Sequence, residues 1–201
     1  MILLAFDTSG GFLSAAVYDK AKLKARFHSD AAARHSEALV PLIKKILQKA
    51  KVRPKDVGCV AVGTGPGSFT GLRIGVTAAK VLVYALDAKL IGISSLEAMA
   101  RAEQADGTYA ILSDARRGQV YAALYRRKEG RWTTLSEPRL YAREDYLRSM
   151  KPGIRLVESA RARAESVAEA AFERAELGRF DDPFELEPLY ISPKDCNVAK
   201  K

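Results

Sequence analysis

Histidine, cysteine and tryptophan are nearly missing from this 201-residue chain, which has two His, two Cys and one Trp. Two cysteines, Cys59 and Cys196, are too few for a disulfide framework or a Cys-rich metal centre. Cys59 stands inside the apolar run 57–62 and reads as a small core residue; Cys196 has no partner near it in sequence. His28 and His35 lie seven residues apart and read as surface or capping groups, so no metal is expected. Ser36 beside His35 is too local to make a catalytic triad, and it serves better as a helix cap. No apolar run approaches the roughly 20 residues that cross a bilayer, and the start at Met1 lacks the basic flank of a signal peptide. Internal repeats, low-complexity tracts and long linkers are also lacking. These absences point to a cytoplasmic protein with no membrane partner.

What is present is an ordinary globular composition, 48% hydrophobic and 28% charged, with 33 Lys and Arg against 24 Asp and Glu for a net charge of +9. Such an excess favours polyanions. The basic residues are scattered, however, and no aromatic RNA-reading signature accompanies them. Charge alone does not make this an RNA-binding protein.

The hydrophobic pattern predicts a strand meander followed by alternating helices and strands. Residues 2–6, 12–18 and 21–27 read as three strands, with a first turn at Asp7–Gly11. Leu39, Leu42, Ile43, Ile46, Leu47 and Ala50 fit one face of a helix. A strand at 57–63 leads through a glycine-rich bend, Gly63–Gly71, into a helix to about residue 85 that is apolar nearly all round. Gly67, Gly71 and Gly75 recur every four residues, and Ala79 continues the row. A helical glycine costs about 1 kcal/mol relative to alanine, so the row predicts a smooth stripe for close backbone packing. A strand at 89–93, a short helix from Ser94 or Ser95, strands at 109–113, 119–126 and 154–157, and a helix at 160–177 complete the pattern. The boundary between two lobes is expected near residues 100–107.

The glycine bend fails both common phosphate-loop patterns. Gly71 is followed by Leu72 and Arg73 rather than the Lys of a Walker loop, and Ser68 or Thr70 stands where the third glycine of a dinucleotide loop belongs. Asp7 and Asp114 are the better candidates for chemistry: each ends an apolar strand, where α/β sheets place ligands. A turn-capping role explains them equally well.

The segment Gly65-Pro-Gly-Ser-Phe-Thr-Gly-Leu-Arg-Ile-Gly75, continuing to Lys80, resembles the signature of the TsaB (YeaZ) family. Residues 5–9, 35–41, 94–98 and 113–121 agree in order and spacing, and 187–191 resembles the family's closing strand. The resemblance implies an α/β fold of the ASKHA type, related to actin and sugar kinases. Its two ribonuclease-H-like lobes would span residues 1–103 and 104–201, with the second reduced. It also implies a part in forming N6-threonylcarbamoyladenosine on tRNA, as a non-catalytic scaffold for the paralogous TsaD-type transferase, together with a TsaE-type ATPase. The paralogue carries two metal-binding histidines where Ser95 and Met99 stand here, and a hydroxyl and a thioether cannot replace two imidazoles. The old peptidase label of the superfamily finds no support in these residues.

By the same resemblance, the helices at 36–50 and 68–85 pack against their counterparts in the partner, or against a second copy when the chain is alone. The interface residues expected are Leu39, Leu42, Ile43, Ile46, Ser68, Gly71, Leu72, Gly75 and Ala79. No tightly bound cofactor is expected. ATP or ADP at the partner interface is implied by the family alone, with Asp7, Thr8, Ser9 and Asp114 as nucleotide-binding candidates, and tRNA is met mainly through the complex. The alternative is a stand-alone ASKHA enzyme, a small kinase or phosphatase using Asp7 and Asp114. Gln119 and Ser192 depart from the family pattern, which usually has an acidic residue and Arg there.

Overall fold

The computed structural model describes residues 1–29, 35–158 and 160–191, with His35 described by its backbone alone. Ser192 and Cys196 lie outside the described residues.

The first lobe begins with β1 (Ile2–Asp7), β2 (Leu13–Asp19) and β3 (Lys22–Ser29), a meander of antiparallel strands. Helix α1 (His35–Ala50), a short 3-10 turn and β4 (Val57–Gly65) follow, then α2 (Phe69–Leu86), β5 (Lys89–Ser94) and α3 (Ser95–Ala100). The sheet order is β3-β2-β1-β4-β5, with β4 parallel to β1 and β5 parallel to β4. β1 is apolar from Ile2 to Phe6 because both its faces are covered. Leu4 and Phe6 join the cluster formed with α1 and α2, while Leu3 and Ala5 join the cluster formed with α3 and the last helix.

The second lobe runs β6 (Gly107–Arg116), β7 (Gln119–Lys128), β8 (Arg131–Ala142), α4 (Arg143–Ser149), β9 (Ile154–Val157) and α5 (Ala164–Glu176). Its sheet order is β8-β7-β6-β9, with β9 parallel to β6. This is the first lobe's order, meander, helix, parallel strand and helix, without a fifth strand. The backbone thus repeats where the sequence shows no repeat, and the lobe is reduced as expected. Helix α5 packs on β1, β2, β4 and β5 of the first sheet. The chain then returns past β5 and the end of β4, where the Asp181 N–H donates to the Leu90 carbonyl of β5 and the Leu189 N–H to the Thr64 carbonyl of β4, both at 2.8 Å.

Helix α2 corrects two expectations. It has 18 residues and a mean hydropathy of 1.4, long and apolar enough to cross a membrane, although no apolar run was expected to be. Its inner side is that of a core helix: Leu72, Val76, Ala79 and Val83 are buried among the chain's own residues. The second correction concerns the partner stripe. Leu39, Leu42, Ile43 and Ile46 of α1 are likewise buried against the chain's own sheet and helices, and Gly71 and Gly75 are covered by the β1–β2 turn. Of the nine interface candidates only Ser68 is exposed, and it caps α2, its Oγ accepting from the Gly71 N–H at 3.2 Å. Periodicity finds a buried face but not what buries it. The outward face of the pair carries instead Val40 on α1 and Val81 and Tyr84 on α2.

Candidate functional site

β1 ends at Asp7, and the next residues turn sharply into β2. The Asp7 carboxylate is buried, 1% exposed. Its Oδ1 accepts from the N–H of Ser9 at 2.8 Å and from the Ser9 hydroxyl at 2.7 Å. Its Oδ2 accepts from the hydroxyl of Ser95, at the first turn of α3, at 2.7 Å. The same Ser95 oxygen accepts from the Gly65 N–H at 3.0 Å, so one hydroxyl ties β1, β4 and α3 together at the strand ends.

Four glycines at a spacing of four, Gly63, Gly67, Gly71 and Gly75, close around this turn. A Cβ on Gly63 would lie 1.7 Å from Asp7 Oδ2, and one on Gly67 2.2 Å from the Ser9 carbonyl oxygen. On Gly71 it would lie 2.1 Å from the Thr8 carbonyl oxygen, and on Gly75 2.2 Å from Thr8 Oγ1. Thr8 in turn donates its hydroxyl to the Gly71 carbonyl at 2.7 Å, and the Ser68 N–H donates to the Ser9 carbonyl at 2.6 Å. The backbone that needs a smooth helix is therefore the chain's own first turn. The row Gly67, Gly71, Gly75 is visible in the sequence; its extension back to Gly63 in β4 is the part that sequence reasoning missed.

Across the cleft, Asp114 occupies the corresponding place at the end of β6. Its Oδ1 accepts from the Arg116 N–H at 2.8 Å, and the side chain is exposed. Ser9, Gly10, Gly67 and Ser68 face Ser113, Asp114, Arg116 and Tyr121 around a cavity of about 460 Å³. A neighbouring cavity of about 390 Å³ is lined by Asp7, Met99, Ser113 and Arg161. The structure thus brings Asp7, Ser9 and Asp114 to one interlobe cleft, while Thr8 turns away into the glycine helix. Met99 faces the cleft and Ser95 lies beneath it. Among the described residues no three His, Cys, Asp or Glu side chains converge as a metal site.

Two polar clusters elsewhere were not anticipated. Arg101, 5% exposed, joins α3 to α5 through Glu97 (2.9 Å), Glu169 (3.3 Å) and Glu173 (2.7 Å). Burial works against its charge, but the hydrogen bonds and attraction of Glu173 and Glu97 outweigh it and raise the guanidinium pKa above its ordinary value. The second cluster has the outline of a triad: Ser14 Oγ lies 3.0 Å from His28 Nδ1, and His28 Nε2 lies 3.0 Å from Glu165 Oε1. Ser14 is fully buried and its oxygen accepts from the Ala164 N–H at 2.7 Å, so it has no open face for a substrate. The cluster is a clamp holding the start of α5 to β2 and β3. Local spacing could not reveal it, because its members are up to 151 positions apart in the chain.

Two lobes of one ribonuclease-H-like topology, meeting at a cleft edged by two Asp turns, define a protein of the ASKHA class, that of actin and the sugar kinases. A family model described as "TsaD: tRNA N6-adenosine threonylcarbamoyltransferase" matches residues 27–188, and the chain belongs to that family. Among its relatives, the tRNA threonylcarbamoyladenosine biosynthesis protein TsaB of Bacillus subtilis is 39% identical over 131 residues, 65% of this chain and 57% of that protein. TsaB of Escherichia coli is 36% identical over 136 residues, 66% of this chain and 58% of that one. The match therefore spans less than two thirds of these relatives. The solved structure of YeaZ from Pseudomonas aeruginosa superposes with a TM-score of 0.84 at 24% identity, covering 94% of this chain and 99% of that one, which agrees in fold. The resemblance to TsaB read from the glycine segment is borne out.

Proposed function

We propose that the chain is a non-catalytic scaffold and activator in the formation of N6-threonylcarbamoyladenosine at adenosine 37 of tRNA, holding a TsaD-type transferase in its working arrangement. The observation that carries this reading is the state of the Asp7 turn. Its carboxylate is engaged by Ser9 and Ser95, its backbone is covered by Gly67 and Gly71, and Gly75 covers the Thr8 side chain. A group so held stabilises the lobe and is poorly placed to grip a substrate. The names of the relatives supply the pathway, and Ser95 and Met99 in place of two imidazoles support the loss of chemistry.

The surface offered to the transferase is the outward face of α1 and α2, where Val40, Val81 and Tyr84 are exposed apolar groups. The same face pairs two copies when the transferase is absent. A TsaE-type ATPase completes the assembly, ATP or ADP sits at the junction rather than tightly in this chain, and the complex works in the cytoplasm. The test is size-exclusion of the purified chain with a TsaD-type transferase, with and without ATP and the ATPase. Co-elution and restored tRNA modification in a strain lacking its own TsaB are expected; separate elution under every condition overturns the reading.

The cleft between Ser9 and Asp114 favours a second reading, a stand-alone nucleotide-binding enzyme. It requires saturable ATP binding by the isolated chain and turnover lost in Asp7→Asn. Absence of binding at millimolar ATP removes it.

A further inference from the structure

The basic residues, scattered in sequence, gather in the fold. Residues 116–155 hold eleven Lys and Arg against four Asp and Glu, whereas 156–191 hold four against nine. Within the basic stretch, cross-strand partners share a face of the second sheet. Arg126 pairs with Thr108 and Thr133, Lys128 with Arg131, and Ala122 with Arg139. Ala122 belongs to the small cluster beneath α4, so this is the face on which α4 lies. Helix α4 has only seven residues and leaves Arg126, Lys128, Arg131, Thr133 and Arg139 exposed.

Neighbouring cations are neutralised: Arg127 by Asp106, Arg143 by Glu158, Arg148 by Glu144. Arg126, Lys128, Arg131 and Arg139 have no ion pair among the described residues. Four unpaired cations, with the Thr133 hydroxyl between them, make the part of this face outside α4 basic.

We propose that this open face of the β6–β8 sheet binds the phosphate backbone of a structured RNA, so that the chain itself carries part of the tRNA contact. Guanidinium groups match phosphate oxygens in pairs, and a backbone contact needs no aromatic stacking residue of the kind this surface lacks. Naming tRNA rests on the proposed function; the charged surface does not.

The experiment measures binding of a transcribed tRNA to the full chain across a series of salt concentrations, for three proteins. In the triple variant R126E/R131E/R139E, affinity should fall at least ~10-fold and the salt slope should drop by about 2, at roughly 0.7–0.9 for each phosphate no longer neutralised. The control K22E/K24E/K55E makes the same change in net charge at exposed sites of the first lobe and should stay within about threefold of wild type. Equal losses in both variants, or no salt-dependent binding by wild type, overturn the proposal. So does tighter binding to phosphatidylserine vesicles than to tRNA that the first variant abolishes, since the face would then recognise lipid. Circular dichroism checks folding, and the milder R126Q/R131Q/R139Q replaces the first variant if it is misfolded. Co-elution of the variant with a TsaD-type transferase separates the outcomes: loss of RNA binding with co-elution kept leaves the scaffold reading intact, and a failure to co-elute by all three proteins strikes that reading alone.

Discussion

Asp7 and Asp114 close the same turn in the two lobes: each Oδ1 accepts the amide hydrogen two residues ahead, at 2.8 Å in both. Their surroundings have diverged. Asp7 is buried, with Gly63 of β4 and the Ser95 hydroxyl against its carboxylate, and Asp114 stands open at the cleft. The same type of turn is thus a structural keystone in the first lobe and a surface feature in the second.

Replacing Asp7 by Asn should therefore register first as lost stability. The neutral amide removes charge from three hydrogen bonds donated by Ser9 and Ser95, and it brings two N–H donors into a site where its neighbours already donate. Hydrogen bonds to charged groups contribute about 1.5–3 kcal/mol each, and a buried mismatch costs about 1–3 kcal/mol. A loss of at least ~2 kcal/mol in urea unfolding is expected. Asp114→Asn, at an exposed turn, should change stability by less than about 0.5 kcal/mol. Equal effects at the two positions would show that burial does not separate them.

The glycine row makes a prediction opposite to the one periodicity suggests. A stripe facing a partner would let Gly75→Leu fold and fail only in assembly. Here even Gly71→Ala sets a Cβ against the Thr8 backbone oxygen, which cannot swing aside. Alanine gains about 1 kcal/mol of helix propensity, but overpacking costs about 1–3 kcal/mol or more, so a net loss is expected. For a chain of this length, each kcal/mol lowers Tm by about 2–4 °C. A melting curve showing Gly71→Ala more stable than wild type would refute the close approach.

The contrast shows which features the sequence exposes. Elements whose two faces are uniformly covered, such as β1, or whose pattern is clean, such as α1, can be read directly, and 154–157 coincides with β9. The stretch 131–149 gives no signal: β8 is an edge strand, exposed at many positions, interrupted by register shifts and by Pro138, and α4 is only seven residues long. Helix α5 begins at Ala164 rather than 160 because the Ser14 hydroxyl takes up the Ala164 N–H at that point. The candidate cleft was half readable, since Asp7 and Asp114 mark strand ends. The burial that decides what each can do is a tertiary fact.

Alkaline pH should destabilise the fold. Burial pushes the Cys59 thiol from 9.0 up to about 12, and burial, followed by the charges of Glu165 and Glu169, pushes Tyr18 from 10.0 up to about 12. Both groups ionise more readily in the unfolded chain. Their contribution is thus whole below about pH 9 and is lost progressively as pH rises toward 12, with a slope of up to ~1.4 kcal/mol per pH unit for each group. Urea midpoints measured from pH 8 upward should fall, and Cys59→Ala should flatten the first part of that fall. Native Cys59 should resist alkylation at pH 8 and react once the chain is unfolded.

The outward face of α1 and α2 gives the sharpest separation of folding from assembly. Val81 and Tyr84 are 61% and 85% exposed, whereas Leu42 and Ile46 on the neighbouring helix are 7% and 2% exposed. A glutamate at Val81 or Tyr84 meets water in the free chain, so its stability should change by no more than about 0.5 kcal/mol. In a packed interface the same carboxylate is desolvated without a partner, and loss of an apolar or aromatic anchor there costs about 2 kcal/mol or more, roughly 30-fold in affinity. Tyr84→Glu should therefore keep its melting curve and lose co-elution with the transferase, and it should also lose any self-pairing. Ile46→Glu should unfold outright, because its charge enters the core shared by α1, β2 and β3. If Tyr84→Glu and Val81→Glu both assemble as wild type does, the docking surface lies elsewhere on the chain, and the exposed apolar groups of these two helices have another purpose.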